Sequence, residues 1–445
     1  MWSRPAGFLV ALLLSSGVLL AQQGAAPADL LAGNGVMALT LEAPLQQLFA
    51  KGEDDEKFSV PGRVSYKDPS SGVDVQREAQ VSVRGHTSRR ETECTFPKLK
   101  LTFKEGDELK IGTHCGESAD EALSPKYGRL ANEKSPHREA LVYALLHAAE
   151  VPTLRTRPAT VTYVDKGQTP LTRKAMLVED DGDARKRLKG TVEITMEQFG
   201  DAKARGATAD AARIAFGQAM IGNFDWHLRN FPEDVYRGNV RKAIWNVLAF
   251  DRGDGKAALL AKDFDLAGIV VGRHSWFKTI FNPAYVPSKS EIEIEVLSQV
   301  QRTRSLFSRA ELDALRRHFI ERKAPIYAVL EKAEVDPKGR EIARSYVDSF
   351  FNAITNEESF YRPVVARSDV RVYVDAGRTK EACKPNDLVS PGTPVNELQR
   401  SGAMSQVVIL DAKWRWTSEQ RCETVQNGPV WIQSDAITND YPSKN

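Results

Sequence analysis

Two short Asp-bearing stretches, Gly222-Asn-Phe-Asp-Trp-His-Leu-Arg-Asn230 and Lys262-Asp-Phe-Asp265, constrain this chain more than any other feature. Between them stand two apolar runs, Trp245 to Phe250 and Ala257 to Ala261, joined by the turn-rich Asp251-Arg-Gly-Asp-Gly-Lys256. That is a β-hairpin pattern. A hairpin returns the chain to where it left, so the two Asp loops are predicted to meet in space.

The flanking segments divide by texture. Short β-like runs recur early, at Val36 to Leu41, Gly62 to Tyr66, Asp74 to Arg84 and Lys98 to Phe103, separated by Pro, Gly and Asp turns. Apolar residues alternate in Gln80 to Arg84 and Lys98 to Phe103, so these strands cover a core with one face. Ser135-Pro136 then opens a helix, Ser as N-cap and Pro at its first position, running to about Ala149 with Leu141, Leu145 and Ala148 on one stripe. Strands over Thr160 to Val164 and Lys174 to Glu179 follow, and then a helix over Ala209 to Ile221 that Gly222 stops.

Beyond the hairpin the chain is helical. The capping box Ser308-Arg-Ala-Glu311 starts a helix reaching Val335, and Asp336-Pro337 caps another to about Thr355. From Pro363 short strands return at Val370 to Val374, Gln406 to Leu410, Trp414 to Trp416 and Val430 to Ile432. At 445 residues two to three domains are expected.

The fold class read from this is α+β. A β-rich lobe spans 33–180, an α-rich lobe 181–358 and a small all-β module 363–440.

Residues 1–21 pair Arg4 with an apolar run from Phe8 to Leu20 and end on Ala21, the zones of a secretory signal. Export to a periplasmic or extracellular compartment is therefore expected, with cleavage near Ala21 or retention as an anchor. No other apolar stretch is long enough to cross a bilayer.

Outside the cytosol four cysteines become candidates for disulfides. The sequential pairing, Cys94 with Cys115 and Cys383 with Cys422, keeps each bond within one domain. No C-x-x-C pair suggests zinc. A net charge of +2 without a basic block points away from nucleic acid as a partner.

Asp225 and Asn230 have the spacing D-x-x-x-x-N, which in protein kinases sets a catalytic base and a metal ligand on one loop. Asp263-Phe264 then falls where those enzymes carry the metal-binding Asp-Phe-Gly, with Asp265 in place of Gly as a further metal ligand or a turn cap. Magnesium or manganese suits these oxygen ligands better than zinc. His227 is a second base or a loop-orienting group.

Phosphate cations are expected from the β-rich lobe. Arg84-Gly-His-Thr-Ser-Arg-Arg90 is a Gly- and hydroxyl-bearing turn whose Arg84 and Arg89 suit anionic oxygens, the alternative being a solvated hairpin tip. Lys98 and Lys100 leave one face of their strand, and one of them, Lys100 by preference, is expected to hold phosphate, the alternative being an exposed edge lysine. Glu139 on the following helix would orient that lysine. A metal-dependent hydrolase built on Asp225, His227, Asp263 and Asp265 is the rival chemistry.

The run Arg84-Gly-His-Thr-Ser-Arg89, Phe96-Pro-Lys-Leu-Lys-Leu-Thr-Phe103, Arg138-Glu-Ala-Leu-Val-Tyr143 and Val151-Pro-Thr resembles the CotH family of secreted and spore-coat kinase-like proteins. Thr160 to Val164, Leu177 to Asp180, Asn223-Phe-Asp225 and Asp263-Phe-Asp265 continue the likeness, which covers about 80–285. The resemblance implies a two-lobed protein-kinase-like fold, ATP with Mg or Mn, and transfer to Ser or Thr of exported proteins or of the chain itself. Asp225 would be the catalytic Asp and Asp263 the metal Asp. The chain departs from the family in carrying Asp225-Trp-His-Leu-Arg-Asn230 where many members have an Asn-Asn pair.

The closing Gly428-Pro-Val-Trp-Ile432 resembles the end of a bacterial SH3 domain, which implies a small β-barrel. Trp414, Trp416 and Trp431 would form a groove for cell-wall peptide or pack its core. The second functional expectation is a catalytically inactive kinase-like envelope protein that binds its partner through this module.

Overall fold

A computed structural model describes residues 29–33, 35–85, 88–91, 94–115, 133–201, 208–228, 243–271, 289–304, 307–367, 370–382, 388–411 and 428–441. The expected signal segment, Asn230, Trp414, Trp416, Cys383 and Cys422 lie outside these residues.

Alternating apolar residues build the first body. Strands β1 (Met37–Glu42), β2 (Ser59–Lys67), β3 (Asp74–Val83), β4 (Leu99–Phe103), β5 (Glu108–Gly112), β6 (Thr156–Val164) and β7 (Leu171–Glu179) close a barrel in the order β1-β2-β3-β4-β5-β7-β6. Neighbours are antiparallel except β1 and β6, whose parallel pairing, Met37 opposite Ala159 to Glu42 opposite Val164, completes the closure. Every second side chain points inward, and Leu41, Val64, Val81, Leu99, Leu101, Ile111 and Val161 are fully buried there. A closed sheet has no edge strand to protect.

Helix α1 (Leu45–Gly52) lies between β1 and β2, and helix α2 (Ser135–Ala148) between β5 and β6. Ser135 is already helical and Lys134 occupies the N-cap position, one residue before the expected cap, while Pro136 sits in the first turn as expected. Burial of α2 is nearly complete because it is packed from both sides. On one side the His137 Nε2 lies 2.9 Å from the carbonyl of Ala159 in β6. On the other the Arg138 guanidinium donates two bonds of 2.8 Å to the Asp336 carboxylate.

A second core joins α2 to the hairpin Val247–Asp251/Ala257–Ala261 and to helices Thr208–Ile221, Lys289–Arg304, Arg309–Glu321, Lys323–Lys332 and Pro337–Thr355. The capping box is formed, with Ser308 N–H donating to Glu311 Oε2 at 2.8 Å and Glu311 N–H to Ser308 Oγ at 3.3 Å. One helix was expected from Ser308 to Val335, but Arg322, at φ −84° and ψ 0°, divides it in two. Asp336 caps the next helix through Gly339 N–H at 2.9 Å.

The last described segment has its own small core around Val365, Val370, Val389, Val395, Val407 and Ile432. Its sheet pairs Val395–Ser401 with Met404–Ile409 and that strand with Val430–Gln433. The strand expected over Val370 to Val374 is reduced to isolated bridges at Val370 and Tyr373. Cys94 and Cys115 form the expected disulfide. Among the described residues no helix is long and apolar enough to cross a membrane.

Candidate functional site

The first Asp loop leaves helix Thr208–Ile221 through Gly222, whose φ of +66° is left-handed. Any Cβ there would stand 2.2 Å from Tyr346 Cε1, so only glycine fits. Asn223 is fully buried. Its Nδ2 donates to Gln218 Oε1 at 2.9 Å, and its Oδ1 accepts the backbone N–H of Asp225 at 3.0 Å, an Asx turn.

The Asp225 carboxylate accepts from two donors across the hairpin. Trp245 Nε1 donates to Oδ1 at 3.0 Å and Asn246 Nδ2 to Oδ2 at 3.0 Å. Burial pushes the Asp225 pKa up, the Trp245 bond opposes it, and the charges of Asp265 and Asp263 add to the rise.

The second loop is bound to the first. Lys262 N–H donates to the carbonyl of Asn246 at 3.0 Å, and Gly268 N–H to the carbonyl of Gly222 at 3.0 Å. Asp263 has a left-handed φ of 60°, unusual for a residue with a Cβ. Two side chains one turn apart on α2 hold it: Tyr143 Oη accepts from Asp263 N–H at 3.1 Å and Glu139 Oε1 from Phe264 N–H at 3.2 Å. The Phe264 ring is fully buried and meets the Tyr143 ring edge-on at 4.7 Å.

The cation facing this loop is Lys98, not Lys100. Lys98 Nζ lies 3.1 Å from Asp263 Oδ1 and 3.0 Å from Asp265 Oδ2. Lys100, two positions along the same face, is paired with Glu108 at 2.8 Å. Two residues of strand amount to roughly 6.6 Å, enough to move an ammonium from one set of partners to another. Lys98 stands at the strand end, where its carbonyl accepts the N–H of Arg84 at 2.9 Å.

Arg84 brings positive charge to the same cluster, where it helps lower the Asp263 pKa. Arg89 is turned elsewhere, into an ion pair with Glu56. His227 is buried in a two-residue strand paired with Ile244–Trp245, a placement that makes it part of the loop's framework.

Charges in the cluster are mutually set. Burial works against the Lys98 ammonium, but Asp263, Asp265 and Glu139 outweigh it and raise its pKa. Burial alone would raise the Asp263 pKa, yet Lys98 and Arg84 bring it below the usual carboxylate range. Asp265 moves up, through burial and then the charge of Asp263. Glu139 is pushed up to about 7 by burial, against the pull of Lys98.

Among the described residues no group of three or more His, Cys, Asp and Glu is arranged to hold a metal ion by itself. Asp263 and Asp265 nevertheless keep 44% and 37% of their side-chain surface open, around one shared cation. Two hard carboxylates suit magnesium that takes its remaining ligands from phosphates and water, rather than an all-protein cage. The pair fits such an ion. The rival hydrolase centre on Asp225, His227, Asp263 and Asp265 would need such a group, and none is assembled among the described residues.

Sequence reasoning preferred Lys100 to Lys98 as the facing cation, and it missed Tyr143, Trp245 and Asn246. Tyr143 carried a signal, four residues beyond Glu139 and so on the same helix face. Trp245 and Asn246 carried none, since their role arises from a turn 20 residues away in sequence from Asp225. No protein-family model matches the chain, and no curated protein matches it.

Proposed function

We propose that this chain is an exported CotH-like kinase, a two-lobed phosphotransferase that moves a phosphoryl group from ATP, with Mg or Mn, to Ser or Thr of an exported protein or of itself. The observation that carries the reading is the Lys98 ammonium held 3.1 Å from Asp263 and 3.0 Å from Asp265, because it unites the barrel's cation with the Asp-Phe-Asp loop. Phosphoryl transfer relies on such positioned charge more than on covalent help from the protein.

In this reading Mg-ATP supplies the transferable phosphoryl group and the divalent charge that offsets it. Asp263 and Asp265 would hold the metal, with Asn230 as a further ligand. Lys98 and Arg84 attract phosphate oxygens. Asp263 and Asp265, with Glu139 behind them, keep Lys98 charged, and Glu139 with Tyr143 fixes the loop backbone. Asp225, beside these carboxylates but bonded to the hairpin, receives the proton of the acceptor hydroxyl.

The signal-like segment and the Cys94–Cys115 bond support export. The separate C-terminal core supports a distinct small module, which in this reading is SH3-like and engages cell-wall peptide or a protein partner.

Thermal unfolding with and without Mg-ATP tests the reading. A ligand at about 100 times its Kd stabilises by roughly 2.7 kcal/mol, so the wild type should melt several degrees higher with Mg-ATP and Asp263→Asn should not. Identical melting of the wild type with and without nucleotide would count against nucleotide binding at this site.

A further inference from the structure

The donors on Asp225 come from consecutive residues, Trp245 and Asn246, and they divide its carboxylate between them. Trp245 Nε1–H binds Oδ1 and Asn246 Nδ2–H binds Oδ2, both at 3.0 Å, and Asn246 Nδ2 also reaches the Asp225 carbonyl at 2.7 Å. An ionised carboxylate has about four acceptor positions. One donor per oxygen therefore fixes the plane of the group and leaves each oxygen a further lone pair.

The backbone at these residues is shaped for the task. Asn246 adopts a left-handed φ of 52°, a conformation Asn tolerates better than most side chains. Its carbonyl accepts from Lys262, the residue before Asp263. A single residue thus ties the orientation of Asp225 to the start of the other Asp loop. Trp245 keeps 39% of its surface exposed although its nitrogen is bonded, so its ring lies at the surface beside Asp225 instead of filling a core.

Burial of so large an aromatic would have been the ordinary use of it. From this juxtaposition we infer that Trp245 and Asn246 are positioning residues that set the direction of the Asp225 carboxylate toward an acceptor hydroxyl. The inference rests on the phosphotransfer reading for its consequence in turnover, but its geometric content can be measured without turnover.

Two readouts test it. In the full-length protein, the indole N–H resonance of Trp245, assigned by its loss in Trp245→Phe, should lie downfield and move upfield in Asp225→Ala while staying near its place in Asp225→Asn, which keeps an acceptor oxygen. A resonance unchanged by Asp225→Ala would overturn the inference. In ATP hydrolysis, Trp245→Phe should lower kcat on the order of tenfold, the effect of one bond to a charged group. KM for ATP should not change. Asn246→Gly, which keeps the left-handed backbone, should do the same. Should Trp245→Phe retain full kcat, or lose activity only through KM for ATP, the positioning role would be wrong. If the wild type proves unable to turn over ATP, the phosphotransfer reading fails and the indole resonance alone decides this proposal.

Discussion

Gly268 donates its backbone N–H to the carbonyl of Gly222 at 3.0 Å, and both glycines press against one ring, that of Tyr346. A Cβ on Gly222 would lie 2.2 Å from Tyr346 Cε1, and one on Gly268 2.1 Å from its hydroxyl oxygen. The two Asp loops thus share one pedestal, and the aromatic ring sets their spacing.

Substitution at the pedestal should therefore damage both loops together. Gly268→Ala forces the Tyr346 ring to move, and overpacking of this kind costs roughly 1–3 kcal/mol. Gly222→Ala should cost more, since its φ of +66° adds backbone strain. Urea midpoints will show whether this holds. Combining Gly268→Ala with Tyr346→Phe should cost less than the sum of the single changes, because the nearest clashing atom is removed.

Lys98 and Lys100 offer a sharper contrast. Lys98→Met should abolish stabilisation by Mg-ATP, whereas Lys100→Met breaks only the pair with Glu108, whose side chains are about a third exposed, and should leave it unchanged. Thermal unfolding of the two variants beside wild type decides between them. Loss of the nucleotide effect in Lys100→Met alone would restore the assignment made from sequence.

That assignment shows where sequence reading reached its limit. Alternation in Lys98-Leu-Lys-Leu placed both lysines on one face correctly, because strand period is local. Which of them meets Asp263 depends on how far β4 extends toward the Arg84 turn, a matter of register between segments 165 residues apart. The caps at Ser308 and Asp336 and the Gly222 stop were legible for the same local reason.

Closure of the barrel was not legible, since it rests on β1 meeting β6 in parallel across more than a hundred residues. Val370 to Val374 had strand-like composition but found only scattered partners.

His114 predicts an acid-dependent loss of stability. It is 1% exposed and packed against Phe96, and burial, with Arg173 nearby, lowers its pKa from 6.5 to about 3. Below 6.5 the unfolded chain takes up a proton that the folded one refuses, so stability falls as pH falls toward about 3 and is unaffected above that range. The slope from this group approaches about 1.4 kcal/mol per pH unit. His114→Phe should flatten the decline of the urea midpoint between about pH 7 and about pH 5. Equal slopes in variant and wild type would exclude His114 as its source.

Arg138 and Asp336 bind α2 to the helical body. With Arg138 only 2% exposed, Asp336→Ala strands a buried guanidinium, which costs roughly 3–5 kcal/mol. The Asp336 pKa is lowered to about 2, since Arg138 and the Gly339 N–H outweigh burial. Its contribution is thus present above the unfolded value of 3.8 and is lost as pH falls through about 2. Calorimetric unfolding of Asp336→Ala at neutral pH measures the cost, and a change under about 0.5 kcal/mol, the range of ordinary surface substitutions, would contradict it.

In the function we propose, the Lys98–Asp263–Asp265 cluster and Asp225 together serve phosphoryl transfer. Its most direct test is incorporation of label from γ-labelled ATP with Mg or Mn, into the protein itself and into added exported proteins, by wild type, Asp263→Asn and Asp225→Ala. Label is expected with wild type, with a fall of at least about a hundredfold in each variant, the scale on which a positioned base acts. Equal label from all three, or none from wild type with either metal, would contradict it.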